Sequence, residues 1–273
     1  MILKIRVRLK NLLLLSLLSL VGCQAEQGEA NIAFYYWKST LRLSEQEQAV
    51  LKDNGVKRLF VKYLDVDVNP DEQAYPKASI RFEGEAWRPY EIVPCVFITN
   101  RTFESEAVSP SGLAGQVWNY LKQVNDKYQL QPAEYQFDCD WTASTRDKYF
   151  AFLQHFRRLQ GEAALSSTIR LHQYRYPQQT GLPPVDKGVL MYYNMGDIGD
   201  KAETNSILNN EKGQAYLQSG KYPLELDVAL PLFSWALLYR LGELQAIINL
   251  PGESVLARQA QLEKVGPGLY EVK

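Results

Sequence analysis

Asp138 and Asp140 are the residues of this chain most suited to chemistry. They stand one residue apart in the run Tyr135-Gln136-Phe137-Asp138-Cys139-Asp140-Trp141-Thr142, which otherwise reads as a buried strand. Side chains alternate across a strand, so Asp138, Asp140 and Thr142 share one face, and Phe137, Cys139 and Trp141 share the other. Paired carboxylates beside aromatic rings suit glycoside cleavage. One group protonates the leaving oxygen and another acts on the opposite face of the sugar. Crowding two carboxylates also raises the pKa of one, which supplies an acid near neutral pH. The structural alternative is an ion pair with a base such as Arg175, because structural networks make similar clusters.

Other side chains narrow the chemistry. Asp65, Asp67 and Asp197 are candidates for a further carboxylate. Ser166, Ser167 and Ser234 lack the strand–turn–helix context of a serine nucleophile. His155 falls on an amphipathic helix and His172 within a strand, both suited to local hydrogen bonding. Cys95 and Cys139 with these histidines give no metal-ligand spacing, so no metal is expected. A Cys95–Cys139 disulfide is open to an exported protein, but neighbouring strands rarely offer the geometry. No glycine-rich phosphate loop follows the first strand, which disfavours the alternative of an open doubly-wound sheet; no cofactor is expected. A formal net charge of -1 argues against nucleic acid, which needs a basic surface. The 17 Tyr and 5 Trp suit either a sugar ligand or a large core.

The elements that position these residues alternate in type. Strand-like runs occupy 32–37, 56–66, 91–99, 135–141, 165–174 and 188–194, and a seventh lies within 226–239. Helical spacing covers 44–52, 113–124, 145–159 and, weakly, 204–218. Ser44 and Glu47 form a capping box, and Asn54-Gly55 ends that helix. Residues 69–89 read as a long loop. Strands alternating with helices imply right-handed βαβ units and a parallel sheet. Polar and aromatic residues gather at the strand ends: Trp37, Asp65 with Asp67, Asn100 with Arg101, Asp138 with Asp140, Arg175, Asn194 and Trp235. A TIM-type (β/α)8 barrel puts its site there. The strand count stops at seven. A hairpin-like 238–249, a helix over 253–265 and a poor strand at 268–273 follow, so the barrel is expected to be incomplete or truncated at its C-terminal end.

The N-terminus carries its own signal. Lys4, Arg6, Arg8 and Lys10 precede an apolar run over 12–20 and then Leu20-Val21-Gly22-Cys23. A basic head, short apolar core and small-residue exit describe a secretory leader. The last four residues resemble the bacterial lipobox, which implies cleavage before Cys23 and a lipid on its sulfur. The expected organisation is a leader over 1–22, a lipidated Cys23 with a tether to 30, and one barrel domain over 31–273. An acyl anchor would hold the protein on a membrane of the cell envelope without a transmembrane helix.

Short motifs carry a second resemblance. Asp138-Cys139-Asp140-Trp141-Thr142 resembles the end of the fourth-strand motif of family 18 glycoside hydrolases, the chitinase group, which closes Asp-x-Asp-x-Glu. Met191-Tyr192-Tyr193-Asn194 resembles that group's sixth-strand Met-x-Tyr-Asp pattern, and Trp235 the tryptophan under its sugar site. The resemblance implies that Tyr193 and Asn194 hold the sugar's 2-substituent while Asp138 and Asp140 polarise it. It departs at Thr142, where the group has its acid glutamate, and at Tyr135, where it has an aspartate. The whole chain is similar to a group of bacterial lipoproteins of uncharacterised activity and predicted barrel shape. The expectation is a glycan partner bound or cleaved at the strand ends. Asp138 and Asp140 are the catalytic candidates. Trp37, Asp65, Asp67, Arg175, Tyr193, Asn194 and Trp235 are the substrate-binding ones. A non-catalytic glycan-binding or structural envelope lipoprotein is the alternative.

Overall fold

The computed structural model describes residues 30–200, 203, 205–218, 220–250 and 252–272. The leader and Cys23 lie outside them. The chain runs β1 (Phe34–Tyr36), β2 (Thr40–Leu41), α1 (Glu45–Asp53), β3 (Arg58–Val68), β4 (Ala74–Ser79), β5 (Arg81–Phe82), β6 (Glu91–Ile98), α2 (Asn100–Glu104) and α3 (Pro110–Tyr128). It continues with β7 (Glu134–Asp138), α4 (Arg146–Gln160), β8 (Ala164–Arg170), α5 (Leu171–Arg175), α6 (Pro177–Thr180), β9 (Lys187–Met191), α7 (Asn210–Leu217) and β10 (Leu226–Ala229). The last elements are β11 (Ser234–Arg240), β12 (Glu243–Leu250), α8 (Ser254–Ala257), β13 (Leu262–Gly266) and β14 (Leu269–Val272).

Seven strands pair in parallel in the order β1-β3-β6-β7-β8-β9-β10. Each pairs with the next strand of the series, as right-handed βα units require. Among the described residues the sheet does not close from β10 back to β1. The fold is therefore an incomplete TIM-type α/β barrel, a curled parallel half-barrel.

Sequence signals set the helix ends. Ser44 Oγ accepts from the Glu47 amide while the Glu47 carboxylate accepts from the Ser44 amide, which satisfies two orphan donors of α1. Gly55 then takes φ +60, a backbone that side chains rarely adopt. Pro110 opens α3 behind the Ser109 cap.

The outer face of the sheet makes the main core. Leu59, Val61, Val96, Ile98, Phe137 and Leu165 pack with Leu113, Val117, Leu121, Phe152 and Phe156 of α3 and α4. Phe137 meets the rings of Phe152 and Phe156 edge-on, with centroids 4.9 and 4.6 Å away. The inner face is different. Its apolar cluster is only Phe60, Val93 and Cys95, with Tyr35 against them.

Beyond that cluster, polar side chains share the inner face with buried Val189 and Met191 of β9. Strand register sets Lys62 beside Cys95, Cys95 beside Gln136, Gln136 beside Ser166 and Ser166 beside Lys187. Tyr35 Oη donates to Gln136 Oε1 at 2.8 Å, and Gln136 Nε2 donates to Ser166 Oγ at 3.3 Å. Buried Glu134 accepts from Ser166 Oγ at 2.6 Å and pairs with Lys187 at 3.0 Å and Arg58 at 3.3 Å. These bonds join β1, β3, β7, β8 and β9 from inside, and the buried side chains of Gln136, Ser166 and Glu134 all meet partners.

A bulge decides which way two aspartates point. Lys62 stands opposite Cys95 but Leu64 opposite Val96, so β3 carries one extra residue there. The shift sends Leu64 and Val66 to the main core with Tyr63. It sets Asp65 level with Phe97, which is in turn level with Asp138.

Several sequence boundaries move. The stretch 69–89 is not all loop: β4 pairs antiparallel with the far half of β3, and β5 pairs with β2. The reason is that β3 outruns the three-residue β1 and leaves an edge for β4. The fourth strand ends at Asp138 rather than Trp141, and the fifth ends at Arg170. His172 and Arg175 therefore lie on α5. The segment 226–239 divides between β10 and β11. The hairpin-like stretch is the β11–β12 hairpin, turning through Leu241 and Gly242 at positive φ. The expected final helix is only four residues long, and β13 and β14 pair with each other away from the main sheet. Cys95 and Cys139 are both free thiols.

Gly188 on β9 is a close approach. A Cβ there would lie 2.6 Å from Leu226 Cδ2 and 2.8 Å from Ile169 Cγ1. Gly188→Ala is expected to cost about 1–3 kcal/mol by overpacking, read as a lower urea midpoint at unchanged slope.

Candidate functional site

Asp138 ends β7 on the inner face and is 6% exposed. Its Oδ1 accepts from Thr168 Oγ1 at 2.6 Å and Arg170 Nη2 at 3.0 Å. Arg170 Nε also donates to Asp140 Oδ1. One guanidinium thus bridges both aspartates, drawing one bond from each of two of its nitrogens. Asp140 is the outer partner, with its side chain 55% exposed, while the Arg170 side chain is 21% exposed. Cys139 and Trp141 point into the main core, where Trp141 stacks on Tyr149 at 5.3 Å. The alternation read from the sequence holds past the end of the strand.

Burial pushes the Asp138 carboxyl up, while Arg170 and Thr168 pull it down and the Asp140 and Asp65 charges push it further up. Burial disfavours the Arg170 charge, yet Asp138 and Asp140 together hold its pKa above the ordinary value. Burial raises Tyr193, whose hydroxyl lies 3.3 Å from Met191 Sδ, and the charges of Arg170, Asp138 and Asp140 all act on it. Asp65, Asp138, Asp140, Arg170 and Tyr193 therefore act as one electrostatic cluster at the strand ends. Lys62 Nζ holds Asp65 Oδ2 at 2.8 Å.

Asp67 sits apart from this cluster in its bonding. Arg101 grips both its oxygens at 2.6 Å, and Thr99 Oγ1 and the Val68 amide each donate at 2.9 Å. The Arg101 bonds hold its carboxyl well below the usual range. This ties the end of β3 to the start of α2.

Arg175 does not make the expected carboxylate pair. Its guanidinium lies 5.3 Å from the Tyr176 ring and 5.8 Å from the Tyr216 ring. Arg170, five residues earlier and unremarked in the sequence, takes that place. Its signal was available: Arg170 is in step with Asp138 once β8 is ended at residue 170. Asn194 has φ +57, and its amide donates to Ile207 O at 2.6 Å. Asp197 Oδ1 caps its own turn by accepting from Gly199 N at 2.8 Å.

Aromatic rings flank the cluster on two sides. Trp37, 39% exposed, lies parallel to Tyr35 at 5.6 Å, and Tyr35 stacks on Phe60 at 4.8 Å. On the other side Tyr193 meets Phe233 edge-on at 5.7 Å, and Phe233 lies 5.5 Å from Trp235. Trp235 is anchored by Nε1 donating to Ser206 Oγ at 3.2 Å. Thr142 is exposed. Its Oγ is 2.8 Å from Ser144 Oγ, and its amide donates to Thr145 Oγ1 at 2.9 Å. It caps the turn into α4, and no carboxylate stands in its place. Among the described residues no group of His, Cys, Asp and Glu could hold a metal.

Folding raises the Asp138 pKa, so the folded protein binds more protons than the unfolded chain between the two values. Stability therefore falls as pH rises through that window. Arg170→Met leaves the buried carboxylate uncompensated and is expected to cost about 3–5 kcal/mol at neutral pH. Urea melts should show the loss shrinking as pH drops to 4, and shrinking at pH 7 when Asp138→Asn is added.

No family model and no curated protein matches the chain. Solved structures of similar fold include the Bacillus cereus spore cortex-lytic enzyme SleL, at 17% identity and TM-score 0.46 over 83% of this chain. The chain spans 57% of that enzyme's length. They include the chitinase of Chromobacterium violaceum ATCC 12472, at 10% identity and TM-score 0.49 over 76% of this chain and 70% of that one. The chitinase-like agglutinin RobpsCRA of Robinia pseudoacacia has 13% identity and TM-score 0.48 over 85% of this chain and 81% of that one. At such identities these likenesses concern the path of the chain and say nothing of its chemistry.

Proposed function

We propose that this protein binds a glycan at the strand ends of its half-barrel and does not hydrolyse it. The bridge Asp138–Arg170–Asp140 carries the reading. Hydrolysis needs an acid free to protonate the leaving oxygen and a second group facing the sugar. Here one cation neutralises both carboxylates, and Asp138 is nearly sealed from solvent. Thr142 offers only a hydroxyl where the chitinase group has its acid, and a hydroxyl of ordinary pKa makes no general acid near pH 7.

What remains favours binding. The open Trp37 ring and the Tyr193–Phe233–Trp235 row offer flat apolar faces, and the half-exposed Asp140 with Arg170 offers an acceptor and donors. Apolar faces with a few fixed polar groups are what a sugar site needs. The lipobox-like Leu20-Val21-Gly22-Cys23 supports anchoring to a membrane of the cell envelope through Cys23. The glycan partner would then belong to that surface or its surroundings.

Titration of the full chain with neutral tetrasaccharides, followed by mass analysis of the sugar, tests the reading. Binding without product is expected. Trp37→Ala should weaken it about tenfold, near 1.4 kcal/mol, at unchanged melting temperature. Release of shortened sugar by the wild-type protein would overturn the non-hydrolytic reading. For the anchor, Cys23→Ser should move the protein from the membrane to the soluble fraction and abolish an acyl mass on the N-terminal peptide.

A further inference from the structure

The hairpin of β11 and β12 is a two-stranded sheet separate from the main one. Two strands alone are marginally stable in water, and a third strand or a packed face is needed to secure them. β11 is fastened to the chain that follows β9. Trp235 Nε1 donates to Ser206 Oγ at 3.2 Å, and Tyr239 Oη donates to the Ile198 carbonyl. Among the described residues no strand pairs with the far edge of β12. Such an edge carries a row of backbone donors and acceptors, and proteins guard it with charge, proline or brevity. β12 is eight residues long, and its run Leu244-Gln245-Ala246-Ile247-Ile248-Asn249-Leu250 holds no charge and no proline. Ile247 is 46% exposed and Ile248 44%. An uncharged run of this length, rich in β-formers, has the composition of segments that pair with copies of themselves.

The register of the hairpin shows what self-pairing brings together. Ile247 lies opposite Leu237 on one face, while Ala246 opposite Leu238 and Ile248 opposite Ala236 share the other. A two-fold axis through Ile247 sets two β12 strands antiparallel. Residue 247 then meets its own copy and residue 246 meets residue 248, because directly opposite residues keep the same face. One face carries Leu237, Ile247, Ile247 and Leu237 in a row across four strands. The other carries Leu238, Ala246, Ile248 and Ala236, with a small side chain beside a large one. Glu243 is the one charged residue of β12. It falls beyond the paired run and stands opposite Arg240 of its own hairpin, so no like charges meet across the axis.

We propose that this protein forms a two-fold dimer through β12, joining two hairpins into one four-stranded antiparallel sheet. The partner is a second copy of this chain. An uncharged edge with an isoleucine at its centre complements itself, and it offers no charge for a different partner to read. The pairing closes on itself, so each copy covers the free edge of the other. It is independent of the glycan reading.

Sedimentation equilibrium of the full chain tests the inference. A dimer that dissociates on dilution is expected. Ile247→Lys sets two like charges opposite each other on the axis and should raise the dissociation constant about a hundredfold, with the far-ultraviolet spectrum unchanged. Ile247→Cys, on a Cys23→Ser background, should give a disulfide-linked dimer with diamide. Val50→Cys, at an equally exposed position on α1, should give none, and Cys95 and Cys139 are buried away from the reagent. A wild-type protein that stays monomeric at every concentration overturns the inference. So does a dimer that Ile247→Lys leaves intact, or an open-ended polymer in place of a dimer. If the lysine disturbs the fold, the cysteine variants decide: crosslinking at 247 and not at 50 supports the two-fold pairing, and any other pattern sinks it.

Discussion

Charge compensation on the concave face is the constraint from which the rest of the structure follows. A parallel sheet covered by helices outside can fill its inside with apolar side chains, but this chain also buries the carboxylates of Glu134 and Asp138 there. A buried carboxylate without a partner costs several kcal/mol. Each of these deep acids therefore has a cation: Asp65 has Lys62 of its own strand, while Glu134 of β7 pairs across the sheet with Arg58 of β3 and Lys187 of β9, and Asp138 pairs with Arg170 of the neighbouring β8. Such pairs are satisfied only in one register, because a slip of one residue sends every side chain to the opposite face. The ion pairs thus fix the strand order and its register even where they add little net stability. The bulge in β3 belongs to the same logic, since it turns Asp65 inward beside Lys62 while Tyr63 stays in the outer core.

Much of this was legible in the sequence. Alternation alone assigned Asp138 and Asp140 to one face and Cys139 and Trp141 to the other, and the rhythm of apolar runs gave the parallel sheet. The losses have physical causes. The segment 165–174 holds a strand followed directly by a short helix, and a five-residue helix leaves too little periodicity to reveal the junction at Arg170. That one boundary hid the cation of the site and offered Arg175 in its place. The β3 bulge was invisible because Leu-Asp-Val-Asp alternates perfectly by itself; only pairing against β6 shows which face each residue takes. β4 was missed because its edge exists only once β3 proves longer than β1.

The two sides of the site differ in how they are held. Trp37 lies at the end of three strand residues, backed by Tyr35 and Phe60, and Tyr35 is fixed by its bond to Gln136 in the middle of the sheet. That platform is as rigid as the sheet. The Tyr193–Phe233–Trp235 row comes from the ends of β9 and β11 and is held by ring contacts and the Trp235–Ser206 bond. Rings offer large contact area with only two torsions to freeze, so both platforms can meet a ligand at low entropic cost.

On the proposed non-hydrolytic reading, the bridge means that replacing Thr142 alone would not make an enzyme. A glutamate at 142 would bring a fourth carboxylate to a cluster already containing Asp65, Asp138 and Asp140, but Arg170 would still hold Asp138 and Asp140. Catalysis requires interactions that strengthen as charge develops in the transition state. Carboxylates already satisfied by a guanidinium make their strongest contacts in the ground state, so they have little left to offer a developing cation. A hydrolase on this frame would need Arg170 displaced as well as an acid supplied. On the proposed non-hydrolytic reading, the pairing that makes the buried Asp138 tolerable also holds it out of catalysis, while Asp140, with its side chain half exposed, stays open to a ligand.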